Sequence, residues 1–137
     1  MSEITLKGNK IHTNGELPSV GTRAPDFLLV DPDLKSQTLK NFSGKRKILA
    51  TVPSLDTTVC INSAKKLNQQ VKSSKNTIVI YISADLPFAQ QRACAAADTD
   101  AIITLSMMRD KKFGQDYGIL IMDGPLAGIL ARSIIIL

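Results

Sequence analysis

The side chains best suited to chemistry in this sequence are its two cysteines, Cys60 and Cys94, which sit in different settings. Cys60 follows Thr51-Val52-Pro53-Ser54-Leu55-Asp56-Thr57-Thr58-Val59. Lys47 to Val52 is an apolar, β-branched run that reads as a buried strand, and Pro53, with no N–H to donate, stops it. Ser54, Asp56, Thr57 and Thr58 are turn and helix-capping residues. From Cys60 to Val71 the spacing turns helical, with Ala64, Leu67 and Val71 on one face. A loop leaving a strand thus delivers a cysteine to the first turn of a helix.

Unpaired N–H groups and the helix dipole at that position favour a thiolate. An ordinary thiol with a pKa of about 8.5 is only about 3% ionised at pH 7, whereas one lowered to about 6 is about 90% ionised. The same N–H groups can hold the oxygens of a small oxidant. Position alone leaves a second reading open, because a free cysteine also serves as a small core residue. Three other residues have plain readings by position. Thr57 is placed to cap the helix. Arg132, between Ile129-Leu130-Ala131 and Ser133-Ile134-Ile135-Ile136-Leu137, is an outward-facing charge or one drawn to a partner. Cys94, flanked by Ala93 and Ala95-Ala96-Ala97, reads as an inert helix-face residue. His12, the single histidine, falls in an N-terminal hairpin and reads as a surface residue.

Composition narrows the field. A chain of 137 residues, 44% hydrophobic, supports one domain with a real core. No apolar run is long enough for a bilayer-spanning helix, and Met1 to Lys7 alternates like a strand rather than a signal peptide. The expectation is a soluble, cytoplasmic protein with no membrane partner. The net charge of +5 is spread out, with Lys45-Arg46-Lys47 the one compact triplet, and aromatics make up 4%. That pattern gives little footing for nucleic acid. Two cysteines without a CxxC pair make neither a multi-bridge secreted scaffold nor a thioredoxin-type motif, and one histidine is too few for an ordinary Cys/His zinc site.

The elements that must position these residues can be read in order. Ile4 to Leu6 and Lys10 to Thr13 flank Lys7-Gly8-Asn9 as a hairpin, with Gly8 and Asn9 suited to positive φ. Pro18 to Pro25 is irregular, Asp26 to Val30 a strand, Asp31 to Asp33 a turn and Gln37 to Leu39 a short strand. After the Cys60 helix, Asn76 to Ser83 is apolar enough for a strand buried on both faces. Pro87 opens a helix to Ala97, Ala101 to Ser106 is a strand, and Asp110 to Tyr117 a helix. Gly118 to Met122 and Ile129 to Leu137 read as strands joined through the turn Asp123-Gly124-Pro125. Alternating elements predict an α/β domain with a parallel crossover through the Cys60 helix and a mixed sheet.

The wording of these segments adds a resemblance. Pro53-x3-Thr57-x2-Cys60 resembles the active-site motif of the peroxiredoxins, and Val52-Pro53-Ser54-Leu55-Asp56-Thr57-x-Val59-Cys60 resembles their thiol peroxidase subgroup. The likeness continues through Ile82-Ser83-Ala84-Asp85-Leu86-Pro87-Phe88-Ala89-Gln90 and Cys94, then Tyr117-Gly118, Asp123-Gly124-Pro125-Leu126-x-Gly128 and Ala131-Arg132. Thr58 departs from the family's usual Pro or Gly. The resemblance implies a thioredoxin-like fold preceded by a hairpin, helices flanking the mixed sheet, and no metal or organic cofactor. It implies that Cys60 attacks hydrogen peroxide or an alkyl hydroperoxide, aided by Thr57 and Arg132, with Pro53 shielding the sulfur. Cys94 would resolve the sulfenic acid as an intrachain disulfide, the atypical 2-Cys route, recycled by thioredoxin. A homodimer is the common assembly. Relatives run on past the arginine strand into a turn, a strand and a closing helix, so residues 1–137 are expected to form a single shortened domain lacking those parts, with an uncovered sheet edge. An inactive redox-sensing or binding module of the same fold is the alternative.

Overall fold

The computed structural model describes residues 2–137. Strands β1 (Glu3–Leu6) and β2 (Asn9–His12) form an antiparallel hairpin of their own. Its two-residue turn places positive φ at Lys7 and Gly8 (51° and 81°), so Asn9 belongs to the second strand rather than to the turn. The remaining strands are β3 (Leu29–Val30), β4 (Ser36–Gln37), β5 (Arg46–Thr51), β6 (Thr77–Ser83), β7 (Ile103–Ser106) and β8 (Ser133–Ile136). They build one sheet in the order β4-β3-β7-β6-β5-β8. Pairing is parallel for β5/β6 and β6/β7 and antiparallel elsewhere, so the sheet is mixed.

Helices α1 (Thr58–Lys72), α2 (Pro87–Ala97) and α3 (Lys112–Asp116) complete a thioredoxin-like α/β fold. α1 starts two residues before Cys60, and its buried stripe is Cys60, Ala64 and Asn68, with Leu67 and Val71 half-buried beside it. The sheet's central strands bury alternate residues on its two faces. Leu49, Ile80, Ile82 and Leu105 meet Phe113, Tyr117, Leu120 and Leu130 on one side. Ala50, Val79 and Tyr81 meet Cys60 and Ala64 of α1 on the other, with Ala93 and Cys94 of α2 against them.

Several sequence readings shorten or shift. The strand expected over 26–30 is paired only at Leu29–Val30, and the one expected at 37–39 lies at Ser36–Gln37, followed by a 3₁₀ turn at Leu39–Phe42. Gly118 to Met122 is not a ladder strand. Its backbone is divided between two neighbours: Thr13, His12 and Asn14 take Ile121, Met122 and Leu120, while Ile129 and Ala131 take Ile121 and Ile119. Neither pairing runs long enough in register to become a strand. At the start of this segment Gly118 has φ +70°, and a Cβ there would lie 2.1 Å from the Glu16 carbonyl oxygen, so only glycine fits. The last strand begins at Ser133, not Ile129, because Leu130 and Ala131 pair back with Leu120 and Ile119 before the chain crosses to β5. The mixed sheet therefore arises from β8 on β5 and from β3 on β7, rather than from a hairpin through 123–125.

Candidate active site

Cys60 is placed by both ends of its segment. β5 ends at Thr51, although the Val52 N–H still reaches the Ile82 carbonyl at 3.1 Å; half-buried Pro53 then turns the chain out of the sheet. Thr57 is the N-cap of α1: its Oγ1 accepts from the Cys60 N–H at 3.3 Å and donates to the Ser54 carbonyl at 3.2 Å. The capping reading of Thr57 is therefore realised in this conformation, and its hydroxyl proton points to Ser54. Cys60 occupies the third position of the helix, 1% exposed, facing the sheet.

Arg132 comes to that sulfur. Its Nη2 lies 3.1 Å from Cys60 Sγ, although the residue as a whole is exposed. The reason is topological. Arg132 is the crossing residue between the 119–120 pairing and the β5 pairing, outside the β8 ladder where the sequence had placed it. Both neighbours are fixed by Thr51, whose Oγ1 donates to the Ala131 carbonyl at 2.8 Å and contacts the Ser133 hydroxyl. A guanidinium at this distance stabilises negative charge on sulfur and on the oxygens of a bound oxidant.

Cys94 is half-buried on α2 and packs against the same apolar cluster as Cys60, yet both cysteines are free thiols. Burial pushes the Cys94 thiol up, and a hydrogen bond with Thr99 offsets this only in part. Tyr81, 1% exposed on β6, lies behind Cys60; its hydroxyl donates to the Cys60 carbonyl at 3.2 Å. Burial, reinforced by the charges of Cys60 and Cys94 and opposed by Arg132, pushes that phenol up to about 12, so it stays a donor at any physiological pH. The sequence offered Tyr81 only as one more apolar strand residue; a hydroxyl in a strand buried on both faces was the available signal, because it needs a partner.

His12 is more than a surface residue. Its N–H and Nδ1 meet the two carboxylate oxygens of Asp123 at 2.7 and 2.8 Å, tying the hairpin to the 123–125 turn. Of the Lys45-Arg46-Lys47 triplet, Arg46 and Lys47 open β5 and Lys45 is exposed. A surface hollow between Pro25, Phe27, Leu28 and Phe113 contains neither cysteine; another, with Gln91, Asp98 and Thr99, borders Cys94. An oxidant of a few atoms needs only an approach to Sγ, so hollow size does not mark this site. Among the described residues there is no cluster of metal-ligating side chains, and no helix is long and apolar enough to cross a membrane.

Comparison with known proteins gives the family. The family described as Redoxin matches residues 19–137. Thiol peroxidases of Mycobacterium bovis and Mycobacterium tuberculosis are 46% identical over 137 residues, covering 100% of this chain and 82% of theirs. Among solved structures, a peroxiredoxin-like protein from Aquifex aeolicus superposes with a TM-score of 0.91 at 36% identity, over 98% of this chain and 78% of its own. A thiol peroxidase from Chromobacterium violaceum gives 0.88 at 26% identity, with the same coverage of 98% and 78%. With a cysteine at a capped helix N-terminus, an arginine on its sulfur and relatives of this kind along the whole chain, the protein belongs to the redoxin family, among its thiol peroxidases and peroxiredoxins.

Proposed function

We propose that this chain reduces hydrogen peroxide and alkyl hydroperoxides by thiol chemistry at Cys60, and the contact of Arg132 with Sγ carries the proposal. The Cys60 thiolate attacks one peroxide oxygen, the O–O bond breaks, and the departing oxygen takes a proton to leave as water or an alcohol. Cys60 is left as a sulfenic acid. Negative charge moves from sulfur to the departing oxygen, so a fixed guanidinium beside both is worth most at the transition state. Thr57, after rotating its hydroxyl away from Ser54, would donate to the peroxide, while Pro53 limits access of water.

Cys94 then attacks the sulfenic sulfur: an S–S bond forms, the S–O bond breaks, and water leaves. Bridging requires Cα atoms within about 7 Å. Cys60 is held by its helix, by Arg132 and by Tyr81, so the first turn of α1 unwinds locally for this step. A dithiol reductant of the thioredoxin type returns both thiols, and residues 1–137 act as one thioredoxin-like domain within a homodimer. Peroxide consumption coupled to thioredoxin and its reductase, compared between parent and Cys60→Ser, tests the reading. A parent no faster than Cys60→Ser would defeat it. Peptide mapping of the peroxide-treated parent should show an intrachain Cys60–Cys94 bridge, whereas exclusively intermolecular bridges would rule out Cys94 as the intrachain partner.

A further inference from the structure

Ser83, Asp85 and Gln90 lie outside the contacts described so far, yet they form a connected polar network beside the site. The Asp85 carboxylate accepts from Ser54 Oγ, the Leu55 N–H and Ser83 Oγ, each at 2.7 Å. Among the described residues no cation pairs with it; three donors hold it instead. From Ser54 the chain of bonds runs to the Cys60 loop. Ser54 Oγ accepts the Asp56 N–H at 3.0 Å, and the Ser54 carbonyl holds the Thr57 hydroxyl that caps Cys60. From Ser83 it runs the other way. Ser83 Oγ accepts from Nε2 of Gln90, fully buried on α2 one turn before Cys94, at 2.9 Å. The same nitrogen donates to the Leu105 carbonyl at 2.8 Å.

The orientation of that amide is informative. Turning it over would set its oxygen against the Leu105 carbonyl, so it keeps both donor bonds although Oε1 finds no partner among the described residues. A buried polar atom is left unpaired while the opposite end of the same amide donates to both Leu105 and Ser83. The main chain of Asp85 is pinned as well: its N–H reaches Ser83 Oγ and its carbonyl accepts from Ser106 Oγ on β7. The next residue, Leu86, is the N-cap of α2. One carboxylate therefore holds the loop that presents Cys60 and stands at the start of the helix that presents Cys94.

We propose that Asp85 is a positioning residue that couples the Cys60 loop to the Cys94 helix through the Ser54–Asp85–Ser83–Gln90 hydrogen-bond chain. It rests on the roles assigned above to the two cysteines. When the first turn of α1 opens, Leu55, buried and held by Asp85, is the fixed end from which opening starts, and α2 is held relative to the same point. Without the carboxylate, Ser54 and Thr57 lose their register on Cys60 and α2 loses its tie to the loop. Both redox steps then slow together.

The test compares Asp85→Ala, Asp85→Asn and Asp31→Ala. Asp31 is a comparable control in a remote turn, accepting from the Asp33 and Lys35 N–H groups and from Gln37 Nε2. Three quantities are read on folded protein: peroxide oxidation of Cys60, closure of the disulfide, and amide hydrogen exchange over 53–60 and 84–94. Asp85→Ala should slow oxidation and closure at least tenfold each and raise exchange in both segments. Asp85→Asn, whose amide can keep Leu55 and Ser83 through oxygen and meet Ser54 through nitrogen, should recover most of both rates. Asp31→Ala should leave all three quantities near parent values. Loss of one step alone, exchange confined to one segment, no recovery in Asp85→Asn, or the same changes in Asp31→Ala would each overturn the coupling. If the parent itself does not react with peroxide, the roles of the cysteines fall, and the exchange pattern alone decides whether Asp85 joins the two segments.

Discussion

Two groups that touch sulfur chemistry directly give the sharpest expectations. Arg132 supplies a charged donor 3.1 Å from Sγ, and removing one such preorganised donor costs on the order of 10²–10³ in rate. Arg132→Ala should therefore lower the second-order rate of peroxide reduction by about 10²-fold with little loss of melting temperature, because the residue is exposed. Arg132→Lys should fall between, since an ammonium lacks the planar fork. Cys94 makes a pH prediction. Burial favours its neutral form, so its thiolate fraction grows only above the ordinary thiol range of about 8.5. In Cys60→Ser, alkylation of Cys94 should be slow at pH 7 and still climbing at pH 9, as mass mapping would record; a plateau below pH 8 would contradict the burial. Both residues were legible as candidates, but the motif could not reveal that Thr57 spends its proton on Ser54, nor that Tyr81 stands behind the nucleophile.

At the scale of elements, the position of Arg132 depends on one buried hydroxyl. Thr51 is fully buried, and Thr51→Val keeps its shape while removing the bonds to Ala131 and Ser133. Leaving a buried carbonyl short of a partner costs about 1–3 kcal/mol. Thr51→Val should lower stability by that amount in denaturant titration and slow peroxide reduction as well, whereas parent-like turnover would show that β8 alone places the arginine. The Asp31 turn gives an acid-limb prediction. Burial pushes its carboxyl up, but bonds from Lys35, Gln37 and Asp33 outweigh it and hold the carboxyl below its usual value. A depressed folded value contributes stability above the unfolded value of about 3.9 and loses it as pH falls through the folded one. Asp31→Asn should thus lower stability at pH 7 and converge with the parent near pH 2 in urea titrations. Elements with strong local signals were legible to within a residue or two: α2 opened by Pro87, and β6 with its unbroken apolar run. Residues 118–132 were not, because their pairing is shared between distant partners, and apolar runs alone do not say which backbone they will meet.

For the whole molecule, the sheet ends at β8, whose outer side pairs with no strand among the described residues, and Ile134 and Ile136 are 60% and 64% exposed on one face. An exposed apolar edge strand is a template for pairing with another copy. As a 137-residue polypeptide the protein should self-associate with rising concentration, measurable by light scattering. Ile136→Lys should suppress this without affecting Cys60 alkylation. Equal scattering from both proteins would show that the edge is not the contact. Composition alone does not locate this surface, because Ile134 to Leu137 reads equally well as core; the expectation of an uncovered edge comes from the resemblance.

The hydroxyl of Tyr81 gives the site a sense of time. It fastens the carbonyl of the residue that the proposed disulfide step would swing away, so each round of that cycle would include a wait for one buried hydrogen bond to let go. During that wait the sulfenic acid is open to a second peroxide, which would carry it on to sulfinic acid. Tyr81→Phe should shorten the wait: a faster-closing disulfide and less sulfinic acid at a given peroxide dose, read by intact mass. On that proposed cycle the tyrosine would make tolerance of peroxide a matter of dwell time rather than of reactivity, and an unchanged ratio of disulfide to sulfinic acid would show that the clock lies elsewhere.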